Sequence, residues 1–211
     1  MKDTVKNRQA AYALATTGIA LLLWYFCFVL PGGNFWVKMA FSASTLAVVS
    51  LAAMGRERGR GLTATPRHVL IGTATAVALY FVFRVGGWLL PKILPFAAAE
   101  IPSVYALGQG TSLYVISFLL LFVTGPAEEI YWRGFLQKRL SERWGPAAGL
   151  VASTCIYALV HIWTYNLTLI LAAFTVGLAW GLLYQTQKSL VPSIVSHSLW
   201  GFIIFVLFPV V

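Results

Sequence analysis

Apolar residues in this chain come in unbroken runs of about twenty, and no other feature limits its possible folds so strongly. A helix rises about 1.5 Å per residue, so a run of that length crosses the roughly 30 Å hydrocarbon core of a bilayer. Lipid offers no partner to backbone polar groups, so each run must close its own hydrogen bonds as a helix. Seven spans can be drawn, at about 10–30, 35–54, 68–90, 111–133, 146–165, 166–187 and 190–211. Only Thr164, Tyr165 and Asn166 remain for a turn between the fifth and sixth, and the fourth is expected to continue past the membrane to about Arg143. The expected fold is an all-α, polytopic membrane helical bundle of about seven transmembrane helices, a single integral membrane domain over residues 1–211. Composition agrees: 10% of residues are charged and 59% hydrophobic, where a soluble domain has about 25% charged. The first run spans by itself and leads through Pro31, Gly32 and Gly33 into the next, so it reads as a retained helix rather than a cleaved signal.

The cations sort by loop. Lys2, Lys6 and Arg8 precede the first span, Arg56, Arg58, Arg60 and Arg67 separate the second from the third, Lys138, Arg139 and Arg143 follow the fourth, and Lys188 precedes the seventh. All fall on one side, while the alternate loops hold only Lys92, with Glu100 nearby. The positive-inside rule then places the N-terminus in the cytoplasm and the C-terminus outside. Membrane topology also accounts for the net charge of +9, and nucleic acid is not an expected partner. Lys38, Arg84 and Arg133 lie within apolar spans, the first two where a long side chain can reach the interface. Cys27 and Cys155 sit in separate apolar runs with no ligand spacing and read as small buried hydrophobes. Pro91, Pro95 and Pro102 rule out one continuous helix between Pro91 and Gly110, which leaves an external loop or a short helix on the membrane, a candidate lid.

Chemistry concentrates in Gly125-Pro-Ala-Glu128-Glu129-Ile-Tyr-Trp-Arg133. Ionisable groups in lipid cost several kcal/mol unless paired or facing a wet cavity, and usually mark function. Glu129 and Arg133 stand at i and i+4, so they share a helix face and form a salt bridge. Glu128 projects about 100° away and keeps no local cation. Gly125-Pro126 is expected to break or kink the helix and open room for water. Two histidines recur deep in apolar segments, His161 and His197. A carboxylate with a histidine can deprotonate a water for attack on an amide, and a second histidine can donate to the oxyanion. The same residue types can bind a divalent metal such as zinc, although no HExxH spacing is present. Counting residues puts Glu128 in the cytoplasmic half of its span and His161 nearer the outer face, a mismatch in depth that the sequence leaves open.

Glu128-Glu129-Ile-Tyr-Trp-Arg133 resembles the EExxxR motif of the CAAX protease and bacteriocin-processing (CPBP, or Abi) family of intramembrane endopeptidases. Tyr157-Ala-Leu-Val-His161 resembles its FxxxH motif with tyrosine for phenylalanine, and His197-Ser-Leu-Trp-Gly201 its HxxxN or HxxxD motif, over roughly residues 111–205. The resemblance implies that Glu128 with His161 activates water, that Glu129 and Arg133 support the site, and that His197 stabilises the oxyanion. It implies no cofactor. Gly201 stands where the family has asparagine or aspartate as a second oxyanion donor. Asn166, Ser196 and Ser198 are alternative donors, and slow turnover, a divergent subgroup or lost activity are the other outcomes. Trp132, Tyr157, Asn166 and Trp200 are candidate substrate contacts.

The expected activity is cleavage near the terminus of a membrane-anchored protein or peptide, as in maturation or removal of a C-terminal sorting signal by myxosortase-like relatives. CAAX prenyl processing is the alternative within enzymes. The small size leans toward a prokaryotic cell membrane. A non-catalytic immunity protein, scaffold or transporter is the competing class.

Overall fold

The computed structural model describes residues 2–55, 59 and 61–210. Arg56, Arg58 and Arg60, and the side chains of Lys2 and Lys6, lie outside the described residues. Among the described residues eight helices follow in order: α1 (Lys2–Phe28), α2 (Phe35–Met54), α3 (Pro66–Ile93), α4 (Ala97–Ala106), α5 (Leu113–Trp144), α6 (Pro146–Thr164), α7 (Leu167–Gln187) and α8 (Val191–Leu207). No strand occurs among the described residues. Six helices are long and apolar enough to cross a membrane, α8 is a shorter apolar helix, and α4 is the connector. Large apolar side chains such as Leu22, Val48, Leu70 and Phe122 are exposed on the outer faces, as lipid contact requires.

Local chemistry sets the boundaries. Gly32 and Gly33 turn the chain at φ 80° and 75°, and the Asn34 carboxamide then caps α2 by accepting the Val37 amide at 3.2 Å. Thr65 caps α3 in the same way, with Pro66 in its first turn, where no N–H is needed. The short corner between α6 and α7 is closed by Tyr165 in a left-handed conformation (φ 51°), after which the Asn166 side chain accepts the Leu169 amide at 2.7 Å.

The expected interruption between Pro91 and Gly110 is present: α3 ends at Ile93 and a separate short helix, α4, begins at Ala97. Pro91 sits in the last turn of α3 and Pro102 within the ten-residue α4, so each costs one local bond rather than a whole element. One expectation about proline is corrected: Gly125-Pro126 does not break α5. The helix instead widens to π-type hydrogen bonding over Leu120–Thr124, returns to α over Gly125–Glu129, and widens again over Ile130–Gln137. A π-turn absorbs an extra residue without ending the helix, and such turns gather at functional sites.

Helix α5 is the centre of the bundle and packs on α1, α2, α6, α7 and α8; α3 lies against α8, and α6 against α7. It is 32 residues long, so Glu128 stands near its midpoint rather than in one half of a shorter span. Trp24, Trp132, Trp180, Tyr131, Phe135 and Leu136 are fully buried around it.

Helix α4 is moored to the start of α7. The Asn166 carboxamide donates to the Glu100 carbonyl at 2.8 Å and to Ser103 Oγ at 3.1 Å, and the Glu100 carboxylate accepts the Thr168 amide at 2.7 Å. Burial raises the Glu100 pKa, but hydrogen bonds from Thr168 and the Leu167 amide outweigh it and leave the carboxyl below the ordinary glutamate value. A depressed folded-state pKa stabilises above the unfolded value and loses that contribution as pH falls through the folded one. Hydrogen-exchange protection of the Thr168 amide, corrected for intrinsic rate, is therefore expected to drop between about pH 6 and about pH 3, below the usual glutamate value of about 4.3. Equal protection at both would show that the carboxylate does not hold α4.

Candidate active site

Helix α5 supplies two carboxylates on different faces. Glu129 is fully buried, and its Oε1 accepts Arg133 Nη1–H at 2.7 Å, the pairing expected from their spacing. The same oxygen also meets His197 Nδ1 at 2.8 Å, a contact the sequence does not reveal. Because a carboxylate only accepts, the proton lies on Nδ1. The His197 ring stacks on Trp180, with centroids 3.9 Å apart and planes at 15°, while the Trp180 indole donates to Ser196 Oγ at 3.0 Å.

Arg133 is buried between α5 and α7. Its Nη2–H donates to the Gly177 carbonyl at 3.1 Å, and its guanidinium lies 4.9 Å from the Tyr157 ring and 5.3 Å from the Trp180 ring. One turn on, Gln137 Nε2 donates to the Gly181 carbonyl at 2.9 Å. The two side chains on α5 thus meet two carbonyls on α7 in matched register. The helices approach closely at both: a Cβ on Gly177 would stand 3.0 Å from Tyr157 Cδ1, and one on Gly181 would strike Leu150 Cδ1, so either requires a neighbouring side chain to shift. Gly177-Leu-Ala-Trp-Gly181 is the small-xxx-small spacing by which membrane helices approach closely, and it was the available sequence signal for this contact.

Glu128 faces the other way, into a cavity of about 130 Å³ that it shares with Tyr157, His161, His197, Trp200 and Gly201. That is room for a few waters. Tyr157 lines the same cavity, and Glu128 Oε2 is buried without a protein partner. His161 lies in the 3₁₀ turn that ends α6. Its Nδ1 meets the Tyr157 carbonyl at 2.8 Å, and its Nε2 faces the Trp24 indole N–H at 3.3 Å. Glu128, His161 and His197 therefore border one space; the mismatch in depth disappears because α5 is long and Glu128 is central to it.

Other candidates fall differently. Tyr157 and Trp200 line the cavity, whereas Trp132 does not: it is packed edge-on between Trp24 and Tyr157 in the core. Asn166 is a helix cap with its donors committed to α4. Ser196 accepts from Trp180, and a Cβ on Gly125 would strike Ser198 Oγ, so that hydroxyl lies against the α5 backbone; neither serine lines the cavity. Gly201 does line it, and a Cβ there would come within 3.3 Å of Leu120 Cδ2. None of the three alternative donors compensates for it. Two indole N–H groups on residues of the cavity wall, Trp36 and Trp200, are buried without a partner. Trp24 and Trp180, which contact His161 and His197, are the site residues that no motif in the sequence signals.

Among the described residues no three His, Cys, Asp or Glu side chains come together as a metal-ligand group. The His197 Nδ1–H is engaged by Glu129, and the His161 Nε2 lone pair by the Trp24 N–H.

Residues 110–203 match the family model described as Rce1-like, type II CAAX prenyl endopeptidase Rce1-like. That segment is similar to the CAAX protease (CPBP) family. It carries α5, α6, α7 and most of α8, hence Glu128, Glu129, Arg133, His161 and His197. No curated protein and no solved structure matches the chain. An Rce1-like core makes this an integral membrane protein with the framework of an intramembrane CAAX-type endopeptidase, a class whose substrates are proteins.

Proposed function

We propose that the chain is an intramembrane glutamic endopeptidase that hydrolyses a peptide bond near the terminus of a membrane-anchored protein. The observation that carries this reading is the buried, unpartnered Glu128 Oε2 in a cavity shared with His197, whose far nitrogen is tied to Glu129. Glu128 takes a proton from water as the oxygen attacks the scissile carbonyl, then returns it to the leaving amine. His197 holds the oxyanion through Nε2–H. With Nδ1–H already on Glu129, an Nε2–H requires the imidazolium. The charges allow it: two carboxylates, Arg133 and a protonated His197 sum to zero. The Trp180 ring beneath it favours a cation further. Glu129, Arg133 and Trp180 act as positioning residues. The Trp200 indole, beside the position that Gly201 leaves without a side chain, is the second oxyanion donor.

An apolar cavity of about 260 Å³ between α3, α4, α7 and α8 adjoins the site and shares Val104, Leu169, Ala172, Trp200 and Phe205 with it. It suits the apolar anchor of a membrane-bound substrate. We favour removal of a sorting or maturation segment in a prokaryotic cell membrane, with the N-terminus cytoplasmic. The cationic end of α5, Lys138–Arg143, and the turn at Lys188 support that topology, since the Lys188 turn is bonded to the Gly61 turn through Leu190 N–H to Gly61 O at 2.8 Å. The matching family's prenyl endopeptidase description favours a prenylated C-terminus as the second reading.

Purified protein in proteoliposomes, supplied with membrane-anchored peptides bearing either kind of terminus, is expected to release one fragment detectable by mass spectrometry. Cleavage should persist undiminished after stringent chelation, with no stoichiometric metal in elemental analysis. A rate that collapses on chelation and returns with zinc would overturn the glutamic mechanism; no cleavage of any anchored peptide would favour a scaffold, immunity protein or transporter.

A further inference from the structure

His161 is the one site side chain whose two ring nitrogens both face groups of the protein itself. A carbonyl oxygen only accepts, so the 2.8 Å contact with the Tyr157 carbonyl places a proton on Nδ1. An indole N–H only donates, so the 3.3 Å contact from Trp24 requires a lone pair on Nε2. An Nε2-protonated ring, whether the other neutral tautomer or the imidazolium, would set two N–H groups against each other. Trp24 has no freedom to turn away: it is fully buried and edge-on to Trp132 at 5.7 Å, which is itself edge-on to Tyr157 at 5.1 Å. The surroundings of His161 are aromatic on the remaining sides, from Phe28 on α1 and Tyr157 on α6, and the acid that shares its cavity is Glu128 on α5.

We propose that Trp24 is a positioning residue of the active site, which holds His161 as a neutral ring protonated at Nδ1 and confines it to accepting a hydrogen bond. The inference rests on the endopeptidase reading and assigns the two histidines opposite duties. His197, tied to a carboxylate, is the proton-rich donor. The one Nε2 lone pair of His161 is taken by Trp24 and its Nδ1–H by the Tyr157 carbonyl, so it takes no proton from water. It walls the cavity as a fixed neutral ring, leaving proton removal to Glu128. The device comes from α1, outside the segment 110–203 that matches the family.

The chain holds three histidines, so nitrogen-15 spectra of the histidine-labelled protein in nanodiscs can be assigned with His68→Gln and His161→Gln variants. Wild-type His161 is expected to show a protonated Nδ1 and a bare Nε2. Replacing Trp24 by β-(3-benzothienyl)alanine keeps the ring shape and removes the N–H. The Nε2-protonated form of His161 should then become populated, and kcat should fall about tenfold with KM unchanged, the scale of one lost hydrogen bond. Trp24→Phe should give the same spectrum. The proposal is overturned by a wild-type His161 protonated at Nε2, by an analogue that leaves the spectrum unchanged, or by a changed spectrum with unchanged kcat. The spectra need no substrate, so a protein that cleaves nothing would sink the endopeptidase reading while leaving the tautomer assignment to stand or fall alone.

Discussion

Glu128→Gln should remove cleavage, lowering kcat by about 10²–10⁴-fold, the usual worth of a general base, while the protein still folds and inserts. The amide has nearly the size of the carboxylate, and the cavity it faces has room for its added hydrogens. What disappears is the lone basic oxygen toward water. Single-turnover cleavage of the anchored peptide in proteoliposomes measures the loss, and circular dichroism with thermal unfolding in detergent controls for fold. A variant that cleaves at the wild-type rate would remove Glu128 from the mechanism and leave the cluster a structural role only.

Arg133→Leu should have its largest effect on stability instead. It strips Glu129 of its guanidinium partner and leaves a wholly buried carboxylate with His197 alone, while the Gly177 carbonyl and two aromatic faces lose their contact. Breaking one side of a buried pair costs about 3–5 kcal/mol, more than the pair itself contributes, because the remaining charge is stranded. Equilibrium unfolding in mixed micelles is the measurement. The double variant Arg133→Leu with Glu129→Gln should recover part of the loss, since no stranded charge remains. A single variant within about 1 kcal/mol of wild type would mean that water reaches Glu129 and screens it.

Both variants touch residues whose importance can be read from spacing alone. Glu129 and Arg133 are four apart on one helix, and local geometry fixes their meeting whatever surrounds them. Glu128 is the neighbouring residue on another face, which is why it was legible as the unpaired acid. The spans of α1, α2, α6 and α7 were equally legible, because transfer to lipid sums residue by residue along the chain. Pro91, Pro95 and Pro102 correctly excluded one continuous helix, since α3 ends at Ile93 and α4 begins at Ala97. Pro126 was misleading: its cost is local and certain, but neighbouring turns can absorb it, as the π-turns of α5 do. Asn166 was misleading for a related reason, since an asparagine before an apolar run is as good a helix cap as an oxyanion donor.

What the residues determined unaided, then, is a membrane bundle, the place of its acids and histidines, and the pairing of Glu129 with Arg133. Only the tertiary structure decided what each histidine nitrogen touches. His197 reaches Glu129 across 68 positions of sequence, and His161 reaches Trp24 across 137. A hydrogen bond is made or lost over a few tenths of an ångström, and hydropathy and helical spacing do not resolve distances of that size between helices. The division between a donating His197 and an accepting His161 therefore emerges only when α1, α5, α6 and α8 pack together.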